Sequence, residues 1–184
     1  IASPPALTYP RTWLSGVVAV HAIVRVRGGR IVVELKNMRS DAQAHRKDSE
    51  YDCVVAVGPI DAFGAHPEIA AHVDAARAVD ARADHLVTLR VAPDLAGGRL
   101  VVAPTGRLDR DYDDVRRFGD AAARGIERAR DAGAVRPLLI LEGVPADPAY
   151  ANALEVAVLQ AAGSLWQPLE AREAHGEEAM EPVE

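Results

Sequence analysis

A chain of 184 residues with 49% hydrophobic and 26% charged content has the length to bury one real core and the composition of a soluble globular domain. Its formal net charge of -6 leaves no positive footprint of the kind that nucleic acid or an anionic membrane requires, so neither is expected as a partner. Cys53 is the single cysteine, which rules out a disulfide within the chain and a cysteine metal cluster.

Aromatic residues make up 4%, so packing must rest on Ala, Val and Leu. A reducing, cytoplasmic setting is the expectation for such cysteine usage. The apolar stretch from Val17 to Val24 is interrupted by His21 and closed by Arg25, well short of the roughly 20 residues that cross a bilayer. A start at Ile1 rather than Met leaves a removed targeting segment open.

The elements follow in chain order. Gly16 to Val26 and Arg30 to Leu35 are rich in β-branched residues and flank Arg27-Gly28-Gly29, a turn able to supply positive φ, which predicts an N-terminal β-hairpin. Lys36 to Glu50 is polar and reads as a linker or an exposed helix, placing the boundary of the main domain near Tyr51. Residues 1–50 thus form hairpin and linker, 51–169 the α/β domain, and 170–184 an acidic tail or interdomain linker.

Cys53 to Val57, ended by Gly58-Pro59, has the continuous apolar character of a strand buried on both faces. Pro67 to Val79 carries Ile69, Val73 and Ala76 at helical spacing, with Pro67 suited to the first turn. His85 to Val91 and Arg99 to Ala103 are strands joined by the turn-rich Ala92 to Gly98, and antiparallel pairing is expected. Asp111 to Ala132 predicts the clearest helix, with Val115, Phe118, Ala122, Ile126 and Ala129 on one stripe, Asp109 as N-cap and Gly133 as C-cap. Val135 to Leu141 reads as a buried strand. Asp147-Pro148 reads as the start of a helix turning Leu154, Val158 and Leu159 inward and stopped by Gly163, with a last strand at Leu165 to Leu169. The fold class is α/β, a mixed β-sheet flanked by helices.

No catalytic, cofactor-binding or metal-binding residue is assigned. His66 and His72 are six apart, about 600° around a helix, so they point to different faces and fit no zinc motif; they read as solvent-exposed or capping histidines. His21, His45, His85 and His175 are equally unremarkable. Cys53 lies within a buried strand and acts as a small hydrophobe, and Gly-x-Ser-x-Gly is absent. The two lysines, Lys36 and Lys47, fall in the polar linker without an apolar pocket. Gly58, Gly64 and Gly143 follow strands without a phosphate-loop pattern and read as turn residues. Asp109, Asp111, Asp113 and Asp114 mimic the start of a calcium loop but lack its glycine and glutamate, and carboxylates at a helix start suit its dipole.

Three stretches carry a family resemblance: Asp109 to Ala122, Gly133 to Ile140, and Leu154 to Glu173. Together they resemble the N-terminal, macro-like α/β domain of leucyl (cytosol) aminopeptidases, with similarity to the invertebrate aminopeptidase-like members. The likeness covers roughly Tyr51 to Glu173; residues 1–50 lie outside it, and the hairpin start departs from the family pattern. The family's two divalent metals (Zn or Mn) and catalytic basic residues belong to its C-terminal domain, whose Asn-Thr-Asp motif does not occur here. The resemblance therefore implies a noncatalytic domain that supports oligomer assembly and limits access to the active site, partnered by a catalytic domain of the same polypeptide or by copies of itself. The alternative is a macro-like module binding a nucleotide or ADP-ribose at the loops after Val57 and Leu141.

Overall fold

A computed structural model of the chain describes residues 45–166 together with the backbone of two strands, β1 (Val20–Arg27) and β2 (Arg30–Asn37). These two pair antiparallel, with Val20 opposite Asn37 and Arg27 opposite Arg30. The main sheet is built from β3 (Cys53–Gly58), β4 (Thr88–Val91), β5 (Arg99–Pro104) and β6 (Pro137–Leu141), in the order β4-β5-β3-β6. β3 runs parallel to both β5 and β6, and β4 is antiparallel to β5, which makes the sheet mixed. Helices α1 (Pro67–Arg77), α2 (Arg116–Asp131) and α3 (Ala153–Ser164) cover it. This is the α/β class expected from the alternation of apolar runs and helical stripes.

The continuous apolar runs have a direct physical cause. Every residue of β3 and β6 is buried, because both sheet faces are covered. Cys53, Val55, Val57, Val101, Ala103, Leu139 and Leu141 face α2 and α3. Val54, Ala56, Leu100, Val102, Leu138 and Ile140 face the opposite layer, where Ile69 and Val73 of α1 join Phe63, Leu95 and Tyr51. Burying each such aliphatic side chain contributes about 1.5–3 kcal/mol, so the two layers hold the sheet from both sides. Phe118 on α2 meets Tyr150 edge to face, 6.1 Å between ring centres.

The structure departs from the sequence-based expectations at the starts of two helices and along and after α3. Helix α2 begins at Arg116, not Asp111, and Asp109 does not cap it. Asp113 instead closes the preceding turn on itself, its backbone N–H reaching the Arg110 carbonyl at 2.9 Å and its carboxylate accepting from the Arg110 backbone N–H at 3.1 Å. Such side-chain bonding to nearby backbone competes with helix. Asp147-Pro148 opens a short 3₁₀ turn, Pro148–Tyr150, with the Asp147 carboxylate accepting from Ala149 N–H at 2.8 Å; α3 starts only at Ala153. Along α3 the inward face is Ala153, Ala157, Val158 and Ala161, so Leu159 stays 71% exposed, and the helix passes Gly163. Leu165 is a buried turn residue and Trp166 is exposed, with no strand at either; residues 167–169, like the tail, lie outside the described residues.

Candidate functional site

In an open parallel sheet, ligands sit beyond the carboxyl ends of the strands where the chain changes direction. Here β5 lies on one side of β3 and β6 on the other, so the crevice falls between Gly58 and Glu142. The two loops are pressed together there. A Cβ on Gly58 would stand 2.4 Å from the Glu142 carbonyl oxygen, and one on Gly143, whose φ is +66°, would stand 2.3 Å from Ala62. The glycines at these strand ends serve backbone approach and turn geometry, as read from the sequence.

The space between the loops is filled by a buried polar cluster. His66, immediately before α1, hydrogen-bonds Glu142 through Nδ1, and both side chains are almost wholly buried. His45 packs its ring edge-on against His66, 4.8 Å between centres, with its Nε2 3.6 Å from Glu68. The His45 backbone carbonyl accepts from Ala96 N–H at 2.8 Å, which ties residues 45–50 to the domain. Burial, then the neighbouring His66, holds the His45 imidazole below the ordinary histidine range despite the opposing pull of Glu68. One Glu142 carboxylate oxygen, Oε2, and His45 Nε2 have no hydrogen-bond partner among the described residues. His66 and His45 are thus core histidines, correcting the expectation of exposed or unremarkable ones. The cause is the sheet itself, which delivers Glu142 beneath the start of α1.

A second feature opens at the carboxyl end of β5. Thr105, Gly106, Arg107, Asp109 and Arg110, with Arg117 and Arg124 from α2 and His85 from before β4, line a cleft of about 380 Å³. Two of its arginines are held by Asp113, whose side chain is fully buried. Arg110 donates to it from Nε at 3.2 Å and Nη2 at 3.0 Å, and Arg117 from Nε at 2.9 Å. The Arg110 guanidinium also lies 4.7 Å over the Tyr112 ring. Arg107 pairs with Asp109 at 2.9 Å, while the Arg124 Nε donates to the Asp120 carbonyl at 3.1 Å.

Cys53 is fully buried and burial pushes its thiol up to about 11, as a core hydrophobe requires. His72 sits on α1 with its Nε2 2.8 Å from Asp94. Lys47 is exposed. His21 and Lys36 lie on the β1–β2 pair, whose side chains are outside the described residues, as is His175. Asp113 is a buried anchor of the turn before α2, Asp109 pairs with Arg107, and of this carboxylate run Asp114 is the member that accepts from the Arg116 backbone N–H, at 2.9 Å. The residues that sequence reasoning passed over are Glu142 and the cleft arginines. Arg117 and Arg124 are seven apart, 700° around a helix, which puts them on one face; that spacing was the available signal.

The fold defines a two-faced α/β sheet domain that carries the His66–Glu142 pair and the arginine-lined cleft at the carboxyl ends of its parallel strands. The chain is similar to the Caenorhabditis elegans protein named "Putative aminopeptidase W07G4.4": 35% of residues are identical over a 144-residue stretch that covers 72% of this chain. That stretch is 26% of the nematode protein, so the chain spans about a quarter of the relative it matches. The relationship is aminopeptidase-like. No family model matches the chain, and no solved structure matches it. Among the described residues no helix is long and apolar enough to cross a membrane.

Proposed function

We propose that this chain is a noncatalytic, N-terminal, macro-like domain of a leucyl-aminopeptidase-like metallopeptidase, located in the cytoplasm. It supports oligomer assembly and controls access to a catalytic domain that lies outside this sequence. The observation that carries the reading is the partial overlap with the nematode relative, which reaches most of this chain but a minor part of that protein. Two divalent metals would need converging carboxylates and histidines, and among the described residues no three His, Cys, Asp or Glu side chains are placed to hold an ion. The residues at hand do not fit a dinuclear centre, so no step of peptide hydrolysis is derived through one.

The buried His66–Glu142 pair then serves the fold. The hydrogen bond between them joins the β6 exit to the α1 entry and fixes the relative position of the crossover loops. The reading is tested by assaying the purified chain against leucine p-nitroanilide with added manganese or zinc. No release above the buffer blank is expected; metal-dependent turnover by this chain alone would overturn the assignment.

A further inference from the structure

We infer that the cleft at the carboxyl end of β5 is a binding site for a small ligand bearing a phosphoryl dianion. Among the described residues, four guanidinium groups, from Arg107, Arg110, Arg117 and Arg124, face two carboxylates, Asp109 and the buried Asp113. An excess of positive charge is thus held in a concave space on a chain whose formal net charge is -6. A solvated charged face would not need the arrangement seen behind it. Asp113 has no solvent exposure and spends its oxygens on Arg110 and Arg117, so two planar forks are fixed in direction before any ligand arrives.

The geometry selects the ligand class. Guanidinium forks match the tetrahedral oxygens of a phosphoryl group through paired N–H donors, and each charge-assisted bond is stronger than a neutral one. Arg124 has no carboxylate partner among the described residues, which leaves a donor for the ligand's second charge. The cleft's 380 Å³ falls in the range of small-molecule sites and exceeds what one phosphate fills, so a phosphate carrying a sugar-sized group fits. The site follows β5 and is separate from the β3–β6 crevice, which the His66–Glu142 pair occupies. The net negative charge of the chain disfavours an extended polyanion, whose other phosphates would meet acidic surface.

Calorimetry at low salt with the full chain tests this, using pyrophosphate and ribose 5-phosphate as probes, acetate as a carboxylate control and a short single-stranded oligonucleotide as a polyanion control. Both phosphate probes are expected to bind, and acetate is not. Arg124→Gln, an exposed position, should weaken pyrophosphate by about tenfold, and Arg107→Gln with Arg124→Gln by more, with the thermal midpoint unchanged. Three results overturn the inference: no heat from either phosphate probe at millimolar concentration, equal affinity in the variants, or an oligonucleotide that binds far more tightly than pyrophosphate through the same arginines.

Discussion

Asp113 carries no solvent exposure and accepts from Arg110 and Arg117, so truncating it removes several charge-assisted bonds at once. Asp113→Ala is expected to cost about 2 kcal/mol or more in urea unfolding, since both arginines keep partial access to water and part of the loss is recovered there. An unchanged midpoint would mean that the carboxylate anchors nothing. His45 makes a different prediction. Its imidazole in the folded chain takes a proton below the ordinary value of about 6.5, so below that pH the unfolded chain binds more protons and is favoured. Stability from this group is therefore full above about pH 6.5 and declines as pH falls below it. Carboxylates held below their usual range, such as Asp94 under the His72 hydrogen bond, withdraw their share only at lower pH, below about 4. His45→Gln should flatten the upper step and leave the lower one, as chemical denaturation across the two windows would show.

At the scale of elements, α2 lies close against the buried sheet at Gly125. A Cβ on Gly125 would stand 2.7 Å from Val55 Cγ1 and 3.0 Å from Ala103 Cβ, both in the buried sheet, so Gly125→Ala should destabilise by about 1–3 kcal/mol through overpacking. One position lower in cost is Gly119, where the nearest atom is the flexible Gln160 Cγ at 2.8 Å; Gly119→Ala should be near neutral because helix propensity offsets the shift by about 1 kcal/mol. Thermal melts of the two variants decide this, and equal losses would refute the contrast. The same helix shows what periodicity can and cannot tell. Phe118, Ala122, Ile126 and Ala129 were legible because an apolar stripe has one solution on a covered sheet. The start was not, since Asp113 and Asp114 suit a self-closing turn as well as a cap. Leu159 was misread for a related reason. Small residues at 153, 157 and 161 set the α2–α3 contact, and size rather than hydrophobicity chose the inward face.

On the scale of the molecule, the two-sided burial of β3 puts Cys53 under both layers, and only broad opening of the sheet exposes it. Its thiol, pushed up to about 11 by burial, is expected to resist an aromatic disulfide reagent at pH 8 and to react once per chain in denaturant. Rapid modification of the folded chain would show that the central strand opens locally. The alternating strands and helices were readable because each needs a covered face, whereas the polar rim was not, since its members come from separate loops. The rim owes one of those members to the reversed strand. β4 runs against β5 with Thr88 opposite Val102, so the residues entering β4, not those leaving it, stand beside the exit of β5. His85 reaches the cleft for that reason. Length changes in the Ala92–Gly98 connection are consequently felt at the far end of the sheet, while the three-residue step from His85 to Thr88 alone sets where the imidazole meets the arginines.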